Sequence, residues 1–352
     1  MSANLNYHQQ LTIDNTLKLR EILKTLPPFA RDYFRGIEPT TSTKTRISYA
    51  YDLRVFFNFL KEANPLYKNL EITDLKVSDL EPIQASDIEE YLEYLKAYQT
   101  RDGRLHKNDE RGRHRKMAAL RSFYNYFNKR QIIHNNPVIL VDMPKLHEKN
   151  IIRLDADEVA ALLDLVEHGG DSLAGMKKVY YDKNKSRNLA IFTLLLGTGI
   201  RVSECVGLNL KDIDFKNDRI KIIRKGGKED FVYFGPEVEK ALKDYMDITR
   251  SQIIPVGGHE EALFLSIQKK RMGVKAIENL VSDYAMQITT LKRITPHKLR
   301  STFGTALYQE TDDIYLVAEV LGHNDVNTTK KHYAALDEDR KRRAAQKVRL
   351  RE

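Results

Sequence analysis

At 352 residues with 41% hydrophobic side chains, the chain has the length for two domains and the apolar content for ordinary cores. No apolar run reaches the length of a membrane span, residues 1–10 lack the apolar stretch of a signal peptide, and the single cysteine, Cys205, has no partner for an internal disulfide. Membrane insertion and a disulfide framework are thereby set aside, a cytoplasmic protein is expected, and the net charge of +9 favours a polyanionic partner, a signal that is weak by itself.

In chain order, the first region reads as entirely helical. An amphipathic helix over 13–26 stops at Pro27-Pro28. Thr41-Ser42 caps a helix from Lys44 to Lys61, with Ile47, Leu53, Phe56, Phe57 and Leu60 on its inner face. Ser86-Asp87 caps the next helix, which carries Ile88, Tyr91, Leu92 and Leu95. A further helix holds Met117, Leu120, Phe123, Tyr124 and Phe127. These are core positions, and the tyrosines among them need no functional role.

Two stretches of this region invite a phosphate. Thr43, Lys44 and Thr45 open their helix, where hydroxyls, a lysine and unpaired backbone N–H groups meet, and Arg54 lies further along it. The segment 101–116 is strongly basic and includes Arg111, Arg113, Arg115 and Lys116. It is either a solvated charged loop or a phosphate-contacting loop that opens a DNA-facing helix.

The proline-led, charged stretch 144–153 is the expected linker, which places one domain over 1–143 and another over 154–352. In the second domain Asp155 caps a helix through Leu165, and residues 166–186 read as a long surface loop. An apolar helix from Arg187 to Leu196 ends at Gly197. Residues 219–224 and 230–234 alternate like strands around Gly226-Gly227, which predicts a β-hairpin. The remainder reads as helical and ends in a basic tail.

Chemistry concentrates in three motifs: Gly197-Thr198-Gly199-Ile200-Arg201-Val202-Ser203-Glu204, Thr295-Pro296-His297-Lys298-Leu299-Arg300, and the run from Leu321-Gly322-His323 to Tyr333. Cleaving a phosphodiester needs guanidinium groups for the non-bridging oxygens, a nucleophile that can hold phosphate, and an acid for the leaving 5′-oxygen. Arg201 and Arg300 suit the first task and Tyr333 the second, while histidines near neutral pH move protons or donate to phosphate. Singly, each has an ordinary explanation: a surface arginine, a helix C-cap at Gly322-His323, an interfacial tyrosine. A zinc site from His297, His323 and His332 lacks the accompanying ligand spacing. Order and spacing taken together favour a covalent tyrosine reaction.

In these motifs, together with the hairpin lysine Lys225, the chain resembles the tyrosine recombinase, or phage integrase, family; the match spans most of 153–340. The resemblance implies a multidomain, mainly α protein, with an N-terminal helical core-binding bundle and an α+β catalytic domain carrying a small β-hairpin, the two closing as a clamp around DNA. It implies a catalytic set of Arg201, Lys225, His297, Arg300, His323 and the nucleophile Tyr333, with Glu204 as a structural support and no cofactor or metal. Lys225 and Lys228 flank one turn, so either can be the general acid. The partners implied are double-stranded DNA with a specific inverted-repeat site, three further copies of the chain in a homotetramer on two sites, and a septal DNA translocase. The segments 224–228, 295–300 and 26–34 are most similar to single-acting Xer-type recombinases, which would give a role in chromosome dimer resolution. Three other readings stay open: an integrase of a phage or mobile element, a type IB topoisomerase-like relaxase, and a catalytically silent DNA-binding protein. Two positions depart from the common pattern: Ser301 follows Arg300 where histidine is frequent, and Asp230 stands after the hairpin where a basic residue is frequent.

Overall fold

A computed structural model describes residues 7–100, 102–147, 152–224 and 226–323, and the chain divides into two units, residues 1–149 and 150–352. The first unit is built on α1 (Tyr7–Leu23), α2 (Ala30–Gly36), α3 (Thr43–Ala63), α4 (Ala85–Tyr94) and α5 (Glu110–Lys129). Ser42 starts α3 as its N-cap, its Oγ accepting from the Thr45 backbone N–H at 3.1 Å. The apolar stripe of α3 packs on α1 and α5, and the interior is aromatic. The Phe123 ring lies 5.1 to 6.0 Å from those of Tyr33, Phe127, Phe57 and Phe29, mostly edge-to-face, and Phe123, Phe56 and Tyr91 are fully buried. Each such side chain contributes roughly 1.5–3 kcal/mol by transfer alone, which makes this cluster the main source of stability in the unit.

The region is not entirely helical. Strands β1 (Ala97–Gln99) and β2 (Leu105–Lys107) form an antiparallel hairpin in the basic segment, turning through Gly103 at φ +77°. Helix α5 then begins at Glu110, so Arg111, Arg113, Arg115 and Lys116 are helical residues rather than loop residues, and Asp109 caps them by accepting from the Gly112 N–H at 2.9 Å.

One ion cluster lies within the bundle. Asp52 of α3 is buried and pairs with Arg115 of α5; the Lys116 Nζ sits 3.8 Å from the same carboxylate and donates to Asn108 Oδ1 at 2.8 Å. Burial pushes the Asp52 carboxyl up to about 6, against the pull of Arg115 and Lys116.

The second unit comprises α6 (Ala156–His168), α7 (Gly175–Thr198), α8 (Val202–Gly207), the antiparallel sheet β3 (Ile213–Asp214), β4 (Arg219–Ile223) and β5 (Glu229–Tyr233), then α9 (Pro236–Asp244), α10 (Val274–Ile288), α11 (Pro296–Thr311) and α12 (Ile314–Leu321). The β4–β5 register pairs Ile222 with Asp230 and Ile220 with Val232, as the alternation predicts; β3 is an added short edge strand. The stretch 166–186 is not one long loop, because α7 already begins at Gly175. Its early turns are charged outside, while Tyr181, Asn184, Arg187 and Asn188 face inward. The helix also runs past Gly197 and stops at Gly199, which caps it at φ +63°; Gly197 instead gives space to Val238, whose Cγ2 would lie 2.5 Å from an added Cβ. Helix α7 packs against α6, α9 and α11. Among the described residues no helix is long and apolar enough to cross a membrane.

Replacing Asp52 by alanine leaves Lys116 buried beside no anion. The expected result is a loss of about 3 kcal/mol or more in urea unfolding of the first unit, followed by far-UV circular dichroism. A loss under about 1 kcal/mol would show the pair to be solvated.

Candidate active site

The second unit's distinctive feature is the C-terminal end of α12. Helix ends leave carbonyls without intrahelical partners, and here guanidinium groups take them. Arg300 of α11 donates through Nη2 to Leu321 O, and through Nη1 to Gly199 O at 2.7 Å. Arg201, the N-cap residue of α8, donates through Nη2 to Gly322 O at 3.2 Å. Arg224, the residue that follows β4, donates through Nη1 to Leu321 O at 3.3 Å and through Nη2 to Val320 O at 3.0 Å. Three cations thus surround the negative end of one helix dipole.

The sequence folds this way for local reasons. Gly199 takes a left-handed conformation, ends α7 and turns the chain so that Arg201 opens α8. The Glu204 carboxylate reaches back to the Arg201 backbone N–H at 2.7 Å and also accepts from Arg201 Nη1 at 2.8 Å. Arg224 Nη1 lies 3.5 Å from the same carboxylate. Glu204 is buried, and its charge is balanced by these two arginines. Pro296 at the start of α11 presets the first turn, which carries His297; Arg300 follows one turn later. Gly322 caps α12 at φ +60°, and an added Cβ would lie 2.7 Å from Arg224 Cζ.

The structure therefore brings Arg201, Arg300 and the Gly322-His323 step together. The His323 backbone N–H closes on Ala318 O at 2.9 Å, and its side chain is half-buried. His297 is exposed in the first turn of α11. Lys225 and Tyr333 lie outside the described residues, as does the tail beyond residue 323. Lys228 is exposed on the hairpin. Arg224 was not legible as a site residue from the motifs; the available signal was an arginine facing Asp230, an acid at a position where a base is frequent. Cys205 is fully buried and its thiol is pushed up by that burial, in keeping with a core residue. Among the described residues no cluster of three or more histidine, cysteine or acidic side chains is placed to hold a metal ion.

In the first unit, Thr43, Lys44 and Thr45 form the opening turn of α3; Lys44 is exposed, and the Thr45 hydroxyl lies 2.8 Å from Ser42 Oγ. Arg54 stacks over the Tyr51 ring at 5.0 Å. Arg111 and Arg115 are exposed one turn apart on α5, and Arg113 is half-buried. Lys116 requires a correction. It is 6% exposed and held by Asp52 and Asn108, so it serves the bundle rather than an external phosphate.

Residues 152–340 match the family model described as "Phage integrase family", and residues 32–131 match "Phage integrase, N-terminal SAM-like domain". The chain is similar to "Tyrosine recombinase XerC" of Caldanaerobacter subterraneus subsp. tengcongensis, 32% identical over 94% of this chain and 89% of that protein. It is also similar to "Tyrosine recombinase XerS" of Lactococcus lactis subsp. cremoris, 27% identical over 94% of this chain and 97% of that protein. In fold it resembles XerH recombinase bound to palindromic difH substrate in a post-cleavage complex, with a TM-score of 0.65 at 21% identity over 87% of this chain and 80% of that one.

Alanine at Gly322 would meet both a left-handed backbone and the Arg224 guanidinium. The expected cost is about 1–3 kcal/mol of stability, seen as a lower midpoint in thermal unfolding of the full chain. An unchanged midpoint would mean that the helix end and Arg224 are not packed as described.

Proposed function

The chain belongs to the phage integrase family of tyrosine recombinases, and from that premise we propose that it resolves chromosome dimers at one inverted-repeat site, with Tyr333 as nucleophile. It is a site-specific DNA recombinase; the chromosomal role and the residue assignments are our reading. The observation that carries the residue assignments is the meeting of Arg201 and Arg300 at the helix end from which the chain leads on to Tyr333.

The proposed chemistry follows from the donors. A guanidinium has five N–H groups in a planar fork, which match the non-bridging oxygens of a phosphodiester and the charge that grows on them as a fifth oxygen attaches. The Tyr333 oxygen attacks phosphorus as its proton passes to His297 or His323 acting as base. The P–O5′ bond breaks, the 5′-oxygen takes a proton from Lys225 or Lys228, and a 3′-phosphotyrosine remains. A 5′-hydroxyl of the partner duplex then attacks that ester, releasing tyrosine and joining the strands. One phosphoester is exchanged for another, so bond energy is retained and no nucleotide hydrolysis enters the balance. His297 and His323 flank Arg300 in the motif order and serve proton movement and phosphate contact.

Exchange between two duplexes requires two sites with two protomers on each, hence a tetramer, and a septal translocase would bring distant sites together. Arg54, Arg111, Arg113 and Arg115, with Thr43, Lys44 and Thr45 at the α3 N-terminus, are the phosphate contacts we assign to the first unit. The similarity in length and identity to proteins named XerC and XerS supports the chromosomal role.

Covalent adducts trapped with detergent on fragmented host DNA and sequenced are expected to map to one chromosomal site and to vanish in Tyr333→Phe. Arg300→Ala should lower adduct formation by about 10²-fold or more. Adducts at the ends of a mobile element would replace the chromosomal role by that of an integrase. Site-specific binding with no adduct in the unaltered protein would replace recombination by DNA binding alone.

A further inference from the structure

Arg224 occupies a position that packing alone would give to an apolar side chain. In β4, Ile220 and Ile222 are buried, and the period of two continues that face to Arg224, which is 9% exposed. Burying a guanidinium is costly unless its donors are matched. Here they are matched by groups from separate segments. Nε donates to Asp230 Oδ2 at 3.0 Å on β5, Nη1 lies 3.5 Å from Glu204 Oε2 on α8, and Nη1 and Nη2 donate to Leu321 O and Val320 O on α12.

The backbone of Arg224 is equally fixed. Its N–H donates to Lys228 O at 2.8 Å, and its carbonyl accepts from the Gly227 N–H at 3.1 Å. Arg224 is thus the root of the tight turn, next in sequence to Lys225 and bonded to Lys228. Asp230 becomes intelligible in the same frame. An acid at this place answers the arginine across the turn, and its other oxygen accepts from the Phe231 N–H at 2.9 Å. Gly322 completes the fit by leaving space for the guanidinium.

We propose that Arg224 is a positioning residue for strand cleavage. It pins the root of the β4–β5 hairpin to the C-terminal end of α12, and so fixes where the hairpin lysine meets the leaving 5′-oxygen. The two parts it joins are the parts whose separation the reaction must control: the arginine clamp at the helix end, and the proton donor on the hairpin. Lysine at this place would keep the charge and lose the fork, which three acceptors and an opposed carboxylate in different directions require. The proposal rests on the general-acid role assigned above to Lys225 or Lys228.

The test uses the full-length protein on the site mapped by adduct trapping, with the scissile 5′-bridging oxygen either left as oxygen or replaced by sulfur. A thiolate leaves without a proton, so the sulfur substrate needs no general acid. Variants are Arg224→Gln, Arg224→Lys, Asp230→Asn, Lys225→Ala and Lys228→Ala, with Arg300→Ala as a clamp control. Removing a full general acid costs about 10²–10⁴-fold. Arg224→Gln and Arg224→Lys are expected to slow cleavage of the oxygen substrate by roughly 30-fold, part of that range, with DNA affinity within about 2-fold, and Asp230→Asn by about 3-fold. On the sulfur substrate all three should return to near the unaltered rate, as should the variant of the acting lysine, while Arg300→Ala stays slow on both. A defect in Arg224→Gln and Asp230→Asn that persists on sulfur while a lysine variant is rescued would overturn the proposal and leave the lysine reading intact. If neither lysine variant is rescued, the general-acid assignment falls, and the role of Arg224 through it falls too. Should Arg224→Gln fail to fold, Asp230→Asn decides by the same two criteria.

Discussion

Much of the catalytic unit hangs on a helix terminus that is left without intrahelical partners. Helix α12 ends with carbonyls at Val320, Leu321 and Gly322 that need donors, and Arg201, Arg224 and Arg300 supply them from α8, the β4–β5 hairpin and α11. Three like charges in one place repel, and the arrangement holds because the buried Glu204 carboxylate lies against two of them and the helix dipole against all three. The elements carrying the residues we assign to catalysis are therefore positioned by the same hydrogen bonds that close the helix. A change to any member is transmitted to the others through a shared acceptor rather than through a long path of contacts.

This arrangement also ties the local turns to the chemistry. Gly199 and Gly322 both adopt positive φ, and both do so at a helix end that an arginine contacts. Neither glycine is a generic hinge. At Gly199 an added Cβ would come within 2.3 Å of the Phe303 ring on α11, the helix that carries His297 and Arg300, so the close approach of α7 and α11 depends on the missing side chain. The first unit contrasts with this. Its cohesion is a cluster of aromatic rings, and Lys44, Arg111 and Arg115 stand exposed on α3 and α5.

Features encoded within a few residues were legible before any coordinates. The Gly226-Gly227 turn and the glycine cap at Gly322 are local, and each follows from backbone chemistry at its own position. What escaped depended on partners far away in the chain. The early turns of α7 read as a loop because their outer face is charged, and only packing on the rest of the unit reveals Tyr181 and Arg187 as buried. Arg224 meets acceptors 96 and 97 residues away, which no window along the sequence contains. The β1–β2 hairpin was hidden by a run of basic residues that serves equally well as loop, strand edge or helix start.

Lys116 and Arg224 show how the same physics supports opposite conclusions. Both are buried cations held beside a carboxylate, Lys116 by Asp52 and Arg224 by Glu204 and Asp230. Lys116 joins α5 to a neighbouring helix and to Asn108 just ahead of its own cap, within a bundle whose cohesion is apolar; its removal from the list of phosphate contacts follows from burial and partner alone. Arg224 joins α8, β5 and the end of α12 at one guanidinium, and each of these segments carries or adjoins a residue we assign to the reaction. A single apolar side chain could fill the volume but could not specify direction, because dispersion contacts are indifferent to rotation about the strand axis whereas three hydrogen-bond acceptors and an opposed carboxylate are not. The distinction lies in what the buried charge connects rather than in how deeply it is buried, and on that criterion Arg224 belongs with the reaction and Lys116 with the core.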